Sequence, residues 1–303
     1  MSVGIRSFHG NTVRNQGVER NFTLYRGGAA LVFRRSAREA AKVNLGRDVV
    51  ANEVYYFVCS TNRFFWKRNG SEMRLESLRK DVLEANLELV RRGLVLYTFG
   101  NASGISRDEG LVAIKPSGVP YEKLRPEDMV VTDLDGNVVE GSLRPSSDLA
   151  THLELYKAFP RIGGVVHTHS EFATAWAQAR KPVPCFGTTH ADYFRGAIPV
   201  TEPMGPEDIA GDYEKNTGAA ILTLFRKIDY ERIPAVLVAN HGPFAWGADA
   251  AAAAHNAVIL EQVARVAYRT VAINSGATEI GPELHDKHFL RKHGAKAYYG
   301  QEK

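Results

Sequence analysis

The sequence predicts an α/β protein, because short apolar strands alternate with helices over most of its length. The pattern begins at Met73 with the segment MRLESLRKDVLEANLELVRRGL, in which apolar residues recur at the spacing of one helical face. Apolar segments such as LVAIK, GGVVH and AVLVA follow, and their length and flanking residues are typical of strands. Residues 73–303 contain no linker, which favours a single domain.

The predicted elements after the first helix come in a regular order. One of them is a hairpin that turns on Asp135-Gly136, a dipeptide favoured in two-residue hairpin turns. The predicted elements are a strand at 111–115, the hairpin at 130–141, a helix at 148–159, a strand at 163–167, a helix at 170–179, an acidic helical stretch near 206–228, a strand at 235–239, an alanine-rich helix at 248–274 and a polar segment at 283–300.

Residues 1–72 differ from the rest in charge and in pattern. They hold 12 Lys and Arg against 5 Asp and Glu, whereas residues 73–303 hold 26 against 29. They contain no helix-turn-helix, zinc-finger or RNP pattern, so the basic charge does not predict nucleic-acid binding. Beyond one short helix in GGAALVFRRSAREAAKVNLG and a strand at VYYFV they show no sustained periodicity. We expect a disordered extension or a start codon assigned too early.

The length of the apolar runs and the number and spacing of the cysteines indicate the cellular compartment of the protein. No apolar run approaches the roughly 20 residues needed to cross a bilayer, and the first residues lack the apolar stretch of a secretory signal. Cys59 and Cys185 are the two cysteines, and they form no C-x-x-C pattern. The sequence therefore predicts a soluble, cytoplasmic protein with no membrane partner.

Three histidines form the strongest chemical pattern. In GGVVHTHS, His167 and His169 are two residues apart on a predicted strand, and this period places both rings on one face. His241 follows the apolar strand AVLVA, at a strand end of the kind where α/β sheets collect their sites. Three imidazoles favour zinc or a neighbouring transition metal over magnesium or calcium. An isolated H-x-H pair could equally be a core histidine and a helix cap.

Asp148 is a candidate for a further ligand. It opens the predicted helix of RPSSDLATHLELY, where a carboxylate can ligate a cation or cap the first amides of the helix. Spacing alone favours the capping role.

Small-residue turns offer places for a phosphate. In IKPSGV a strand ends in a Pro-Ser-Gly turn beside Lys115, and GNASG is a similar turn after VLYTF. Ser146 and Ser147 lie at a helix N-terminus, where free amides favour an anion. Each segment by itself could be only a turn, but together they make a phosphorylated substrate a reasonable hypothesis.

The body of the chain resembles a known family, the L-ribulose-5-phosphate 4-epimerases of the class II aldolase/adducin superfamily. The resemblance runs from about Met73 to Gln301, in the family's order, and leaves residues 1–72 unmatched. The segments that carry it are LEANL, GNASG, IKPSGV, EDMVV, PSSD, GGVVHTHS, GTTHADYFRGAIP, HGPFAWG and DKHFLRKHGAKAYYGQ. One departure is VANH, where these epimerases more often have VHSH; His241 is retained.

The resemblance implies a single-domain αβα layered sandwich around a central mixed, largely antiparallel β-sheet. It implies one zinc ion per subunit, replaceable by manganese or cobalt, held by Asp148, His167, His169 and His241. It also implies substrate contacts from Gly100, Asn101, Ser117, Gly118, Ser146 and Ser147, with Lys115 and Thr188 nearby.

The resemblance further implies that Asp192 and Tyr299 are the acid/base residues. Tyr299 would reach the site of a neighbouring subunit in a fourfold symmetric homotetramer, and His288 would be delivered across the same interface. Taken without the resemblance, Asp192 is an ordinary turn residue, and Tyr299 is a core or interface aromatic. Arg291, Lys292 and Lys296 would be a solvated face. His190 is interpreted as a structural histidine.

The implied activity is metal-dependent epimerisation of L-ribulose 5-phosphate to D-xylulose 5-phosphate at C4, by cleavage and re-formation of the C3–C4 bond. The implied pathway is L-arabinose catabolism, while a pathway through L-xylulose 5-phosphate stays open. One alternative is an L-fuculose-1-phosphate-type aldolase, but these have Glu where this chain has Asp148 and lack the THAD and AYYG segments. Another is a non-enzymatic adducin-like module, which predicts lost ligands.

Overall fold

The computed structural model describes residues 73–294 and 297–299 and, before them, the backbone of four strands. The chain divides into a unit over 1–73 and a unit over 74–303. In the first unit, an antiparallel sheet follows chain order and consists of β1 (Thr23–Gly27), β2 (Ala30–Arg34), β3 (Val54–Ser60) and β4 (Arg63–Asn69).

The sequence predictions for residues 1–72 meet the described backbone at two places. β3 contains the strand predicted at VYYFV. The predicted short helix overlaps β2, and its remaining residues lie outside the described part of the chain. That residues 1–72 are a disordered extension or a start codon assigned too early stays a prediction.

The second unit contains seven strands and eight helices among its described residues. They are α1 (Glu76–Arg91), β5 (Asn101–Ser106), β6 (Leu111–Ile114), β7 (Val130–Asp133), β8 (Val138–Glu140), α2 (Leu149–Ala158), β9 (Gly164–His167), α3 (Glu171–Ala179), α4 (Thr188–Ala191), α5 (Pro206–Ala210), α6 (Tyr213–Phe225), β10 (Ala235–Val238), β11 (Gly242–Gly247), α7 (Ala250–Ile273) and α8 (Pro282–His293).

The seven strands form one antiparallel sheet in the order β10-β11-β9-β5-β6-β7-β8. Its central strands are buried on both faces. Leu111 and Ala113 of β6 pack into the core under α1, α3 and α7, whereas Val112 and Ile114 pack into the core under α2 and α6. This alternation follows from the period of two along a strand. The αβα sandwich implied by the resemblance is confirmed.

Helix α1 shows how the sequence produces one of these layers. The apolar residues predicted to share its buried face are Leu75, Leu78, Val82, Leu83, Leu87 and Val90; of these Val82 is fully buried, Val90 is 42% exposed, and the other four pack partly buried against the core. The fully buried face runs instead through Val82, Ala85 and Leu89, each at most 2% exposed. The helix ends at Arg91, and Gly93 then adopts φ +69°, the left-handed conformation that glycine supplies most easily after a helix. The amphipathic pattern therefore predicted the position of this helix, whereas its fully buried face lies further toward Ala85 and Leu89 than predicted.

Several predicted elements need correction. The GNASG segment was predicted to be a turn, but all of it after Gly100 belongs to strand β5, which begins at Asn101. The strand GGVVH ends at His167, so His169 lies beyond it. The acidic stretch is two helices, α5 and α6, and PFAWG forms β11, a strand that was not predicted. No helix in the described part of the chain is long and apolar enough to span a membrane.

Candidate metal centre

Three imidazoles meet at one end of the central strands. His167 is the last residue of β9, between β5 and β11, and His241 lies in the turn from β10 to β11. One ring nitrogen from each of His167, His169 and His241 lies within 4.8 Å of the others. The structure thus brings together the three histidines that sequence spacing could only suggest.

The turn that carries His241 is held close to the H-x-H segment. Asn240 adopts φ 63°, which reverses the chain directly before His241. A Cβ on Gly242 would lie 2.8 Å from the carbonyl oxygen of Thr168, so only glycine allows this approach. Phe244 stacks on His167 with ring centroids 4.3 Å apart and forms an apolar wall behind the rings.

The protonation state of His167 suits a metal ligand. Burial lowers its pKa to about 3, so the ring is neutral at neutral pH. Its Nδ1 lies 3.0 Å from the carbonyl oxygen of Pro243, which places the ring hydrogen on Nδ1. The bare Nε2 then faces Nε2 of His169 at 3.0 Å. This is the tautomer that histidine adopts when Nε2 binds a metal and a carbonyl holds the other nitrogen.

Tyr213 is a neighbour of the histidines that the sequence did not reveal. Its hydroxyl lies 3.4 Å from Nδ1 of His241, at the start of α6. Burial, followed by the effect of His169, lowers the pKa of His241. The only sequence signal was an aromatic residue in an acidic helical stretch, which does not distinguish a site residue from a packing residue.

Asp148 lies at the N-terminus of α2, where the sequence favoured a capping role. Its side chain makes no capping hydrogen bond to the described first turn. Instead, Nδ2 of Asn101 donates to its Oδ2 at 2.6 Å. Burial raises the pKa of the Asp148 carboxyl, but His167, His152 and the Asn101 amide more than offset this, so the pKa lies below its ordinary value. The carboxylate is therefore ionised and available to a cation.

Two of the predicted anion-binding segments lie side by side. The backbone N–H of Ser117 donates to the carbonyl of Arg144 at 2.9 Å, and that of Ser146 donates to the carbonyl of Lys115 at 3.0 Å. The KPSG and RPSSD segments therefore form one surface, on which Ser117, Gly118 and Ser147 are exposed. This surface continues into Asp148, whose N–H lies 3.4 Å from Oγ of Ser146.

Gly100 and Asn101 link this surface to the histidines. Gly100 adopts φ +82°, and a Cβ there would lie 2.7 Å from the carbonyl oxygen of His167. Asn101 pairs directly with His167 in the ladder of β5 with β9. Both residues were predicted to contact substrate, and both lie against the candidate ligands.

Lys115 is an unusual buried cation next to these segments. It is 2% exposed, and its Nζ lies 4.7 Å from the ring centroid of Tyr121. The Tyr121 hydroxyl in turn donates to the carbonyl of Gly100 at 2.8 Å. Burial lowers the pKa of Lys115 to about 8, so at neutral pH it stays mostly protonated and attracts an anion.

Asp192 and Tyr299 belong to a second group of side chains. Arg291 donates twice to the Asp192 carboxylate, at 2.9 and 2.6 Å, and Nδ1 of His288 lies 3.0 Å from it. The Arg291 guanidinium lies 4.7 Å from the ring centroid of Tyr299. Burial raises the pKa of the Asp192 carboxyl, but Arg291 and His288 reverse this and lower it. Among the described residues, no contact of this group reaches the three histidines.

The remaining predicted residues have ordinary surroundings. Nε2 of His190 lies 2.9 Å from the carbonyl oxygen of Gly196, and its ring is buried, as expected of a structural histidine. Thr188 is half-buried at the start of α4. Arg291 pairs with Asp192, so it is not part of a freely solvated face, whereas Lys296 lies outside the described residues.

Comparison with known proteins identifies the family. The model of the class II aldolase and adducin N-terminal domain matches residues 80–268, and this chain belongs to that family. It is 54% identical over 227 residues to proteins named L-ribulose-5-phosphate 4-epimerase UlaF from Salmonella paratyphi A and Salmonella typhi, covering 75% of this chain and 100% of theirs.

Solved structures agree with the family assignment. A structure named L-fuculose 1-phosphate aldolase matches with a TM-score of 0.60 and 29% identity, over 72% of this chain and 97% of that chain. The structure of YgbL from Klebsiella pneumoniae matches with a TM-score of 0.58 and 26% identity, over 70% and 97%.

Proposed function

We propose that the protein is a metal-dependent L-ribulose-5-phosphate 4-epimerase that interconverts L-ribulose 5-phosphate and D-xylulose 5-phosphate. The observation that carries this proposal is the convergence of three histidines on one point, with the ionised Asp148 and two anion-binding segments alongside. The 54% identity to epimerases over their full length supports the choice of substrate.

Asp148, His167, His169 and His241 are proposed to hold one divalent cation. The donor set of three imidazoles and one carboxylate suits zinc, with manganese or cobalt as substitutes. When bound, the cation supplies Lewis acidity to the ketone and hydroxyl oxygens of the substrate. The carbonyl of Pro243 keeps the Nε2 lone pair of His167 directed into the site.

The anion-binding segments are proposed to hold the phosphate. Ser117, Ser146 and Ser147 offer hydroxyls on one surface, Gly118 and Ser147 offer backbone amides there, and Lys115 adds a positive charge. Gly100 and Asn101 lie between this surface and the histidines, where the carbon chain of a sugar phosphate would extend. A phosphate fixed in this way keeps one fragment bound when the carbon–carbon bond is broken.

The reaction is proposed to break and re-form the C3–C4 bond. Deprotonating C4 directly would leave an unstabilised carbanion, whereas retro-aldol cleavage gives a three-carbon fragment and glycolaldehyde phosphate. The aldehyde turns its opposite face to the three-carbon fragment, and the bond re-forms with C4 inverted. One residue removes the proton of the C4 hydroxyl and another returns a proton on the opposite face.

Asp192 and Tyr299 are the proposed acid/base pair. Arg291 and His288 keep the Asp192 carboxylate ionised, which suits it to accept a proton. Since no contact joins this group to the histidines within the described part of one chain, we propose that a homotetramer brings it to the metal centre of a neighbouring subunit. The expected compartment is the cytoplasm, and the expected role is pentose catabolism, with L-arabinose as its source.

The proposal is tested with the full chain and with residues 73–303. Each is incubated with L-ribulose 5-phosphate, and D-xylulose 5-phosphate is followed with and without a chelator. We expect turnover that the chelator abolishes and zinc restores. The absence of metal-dependent turnover in both proteins would refute the proposal. The mass of the native N-terminus tests separately whether translation starts at Met1.

An L-fuculose-1-phosphate-type aldolase is the second candidate. Its support is the match to a solved structure with that name, at a TM-score of 0.60. An aldolase would release free glycolaldehyde phosphate from L-ribulose 5-phosphate or cleave L-fuculose 1-phosphate, whereas an epimerase retains both fragments. Trapping released aldehyde with a dehydrogenase therefore separates the two activities.

A further inference from the structure

Helix α3 lies between the two turns that carry His169 and His241. It begins at Glu171, two residues after His169. Near its other end, the carbonyl of Ala177 accepts the backbone N–H of Asn240 at 3.0 Å, and Asn240 directly precedes His241. Two of the three histidines are therefore attached to the ends of one helix, so the placement of their rings depends on where that helix lies.

The first turn of α3 is held by a residue from a different helix. Ser170 occupies the N-cap position, but its side chain makes no capping hydrogen bond. Its hydroxyl instead accepts from Oγ1 of Thr168 at 3.3 Å. The backbone amides of Phe172 and Ala173 donate to Oε1 and Oε2 of Glu261 in α7, each at 2.9 Å. This carboxylate replaces the missing cap, at the end of the helix where the dipole favours negative charge.

The contact between Glu261 and α3 is buried. Glu261 is only 5% exposed, and both of its oxygens accept from α3. Because a buried carboxylate without donors is strongly unfavourable, Glu261 keeps the start of α3 against α7. A second bond joins the same two helices, since Nε1 of Trp176 donates to the carbonyl of Ala264 at 3.0 Å. Helix α3 is thus anchored to α7 at its first turn and again near its end.

We propose that Glu261 is a positioning residue for the metal ligands: by anchoring α3 to α7, it sets the positions of His169 and His241. The third ligand, His167, is fixed separately, because β9 pairs with β5 on one side and with β11 on the other. A metal site binds tightly only when its ligands are already held in coordination geometry, so a displaced α3 lowers metal affinity. The inference rests on the proposed function in one respect, that the three histidines bind a metal.

The test compares two capping carboxylates in the full chain. Glu261→Gln keeps one acceptor but turns an N–H donor group toward the second amide of α3. The matched control is Asp249→Ala, which removes the carboxylate that caps α7 by accepting from the N–H of Ala252 at 2.7 Å. Zinc affinity is measured by competition with a chromophoric chelator. We expect Glu261→Gln to lose about 10-fold in affinity, within the range for residues that act on a binding site without contacting its ligand, and Asp249→Ala to keep it.

A purely structural role for Glu261 gives a different result. A variant that is destabilised equally with and without zinc keeps its zinc affinity, because the stabilisation by a ligand depends on its dissociation constant. The unfolding temperature is therefore measured for each variant with and without zinc. We expect the rise on zinc binding to be smaller in Glu261→Gln than in the unaltered protein, and to be unchanged in Asp249→Ala.

Each outcome decides the matter. Unchanged zinc affinity in Glu261→Gln overturns the inference while the proposed function stands. An equal loss in both variants also overturns it, because the effect is then not specific to the cap of α3. If Glu261→Gln does not fold, Trp176→Phe decides by removing the other anchor of α3, with a several-fold loss of affinity expected and no change contradicting the inference. An unaltered protein that binds no zinc refutes the proposed function itself and the inference with it.

Discussion

Asp148 and Asp192 are both held by hydrogen bonds, but their partners differ in charge. Asp148 accepts from the neutral amide of Asn101 and lies near the rings of His167 and His152, whose pKa values are lowered by burial. Asp192 is bound by the guanidinium of Arg291 in a two-point ion pair. The first carboxylate has no fixed positive charge among its described partners, whereas the second already has one. The first region can therefore take up a cation, and the second can hold a proton-transfer group in one charge state.

Under the proposed function, these two regions, which share the same acidic residue type, have separate tasks. The region of Asp148, His167, His169 and His241 is the histidine centre, and the region of Asp192, His288, Arg291 and Tyr299 is the aspartate–arginine group. We expect changes in the histidine centre to remove the metal, and changes in the aspartate–arginine group to remove proton transfer without affecting the metal. The predictions below test this separation.

The largest effect is expected from His167→Ala in the histidine centre. Loss of the buried ligand should reduce zinc content to a small fraction of one ion per subunit and activity to that of the metal-free protein. Zinc is measured by mass spectrometry of the purified protein and activity by D-xylulose 5-phosphate formation. His255→Ala is the control, because His255 is exposed on α7 outside both regions. Full zinc content in His167→Ala would contradict the ligand assignment.

A smaller but selective loss is expected from Asp192→Asn and Tyr299→Phe. Removing either proton-transfer group should lower the rate of epimerisation by about 10²- to 10⁴-fold. Zinc content should remain that of the unaltered protein, because neither side chain contacts a histidine of the centre within the described residues. Full activity in both variants, or loss of zinc in either, would show that the two regions do not have separate tasks.

The sequence predicted which histidines form the histidine centre, but it did not predict how the fold brings them together. His167 and His169 were expected together on one strand face, but β9 ends at His167, and the turn after it brings His169 back. The convergence of His241 depends on the pairing of β9 with β11, a strand that was not predicted. Residue spacing predicts local secondary structure, whereas the order of strands in the sheet depends on contacts between segments that are distant in the sequence.

The aspartate–arginine group illustrates the opposite case. No local pattern connects Asp192 to Arg291, since 99 residues separate them and each has an ordinary surface interpretation. Only the resemblance pointed to Asp192, and the ion pair that fixes its charge became visible in the fold. The layered α/β architecture was predictable because apolar periodicity is local, while Tyr213 gave no signal that separates a site residue from a packing residue.

Two buried histidines near these regions, His152 four residues after Asp148 and His190 two residues before Asp192, should respond to pH. Burial lowers the pKa of His152 and of His190 from 6.5 to about 4. Between these pH values the unfolded chain binds a proton at each ring and the folded chain does not, so stability is greatest above pH 6.5 and falls as the pH approaches 4. The slope should be up to about 1.4 kcal/mol per pH unit for each histidine.

Urea unfolding of the metal-free protein at pH 7, 6 and 5 measures this slope. His190→Gln keeps a donor for the carbonyl of Gly196 but cannot titrate. It should therefore reduce the slope of unfolding free energy against pH by up to about 1.4 kcal/mol per pH unit, which corresponds to one proton. His190→Gln should leave zinc affinity at pH 7 unaltered, because His190 lies outside the histidine centre. An unfolding midpoint that is constant from pH 7 to 5 would contradict the neutral state of these rings.

The smallest effect is expected from alanine substitutions at Gly118 and Gly100, two glycines that were both predicted to contact substrate but differ in their surroundings. Gly118 has φ +68° and open space where a Cβ would be, so Gly118→Ala should cost only the left-handed conformation, about 1–2 kcal/mol of unfolding free energy. Gly100→Ala should cost more, because its Cβ would lie 2.7 Å from the carbonyl oxygen of His167. That backbone must then move, and the imidazole attached to it moves with it. Gly100→Ala should therefore lower zinc affinity as well as stability, whereas Gly118→Ala should lower stability alone. Equal zinc affinity in the two variants would mean that the histidine centre tolerates displacement of the strand that carries it.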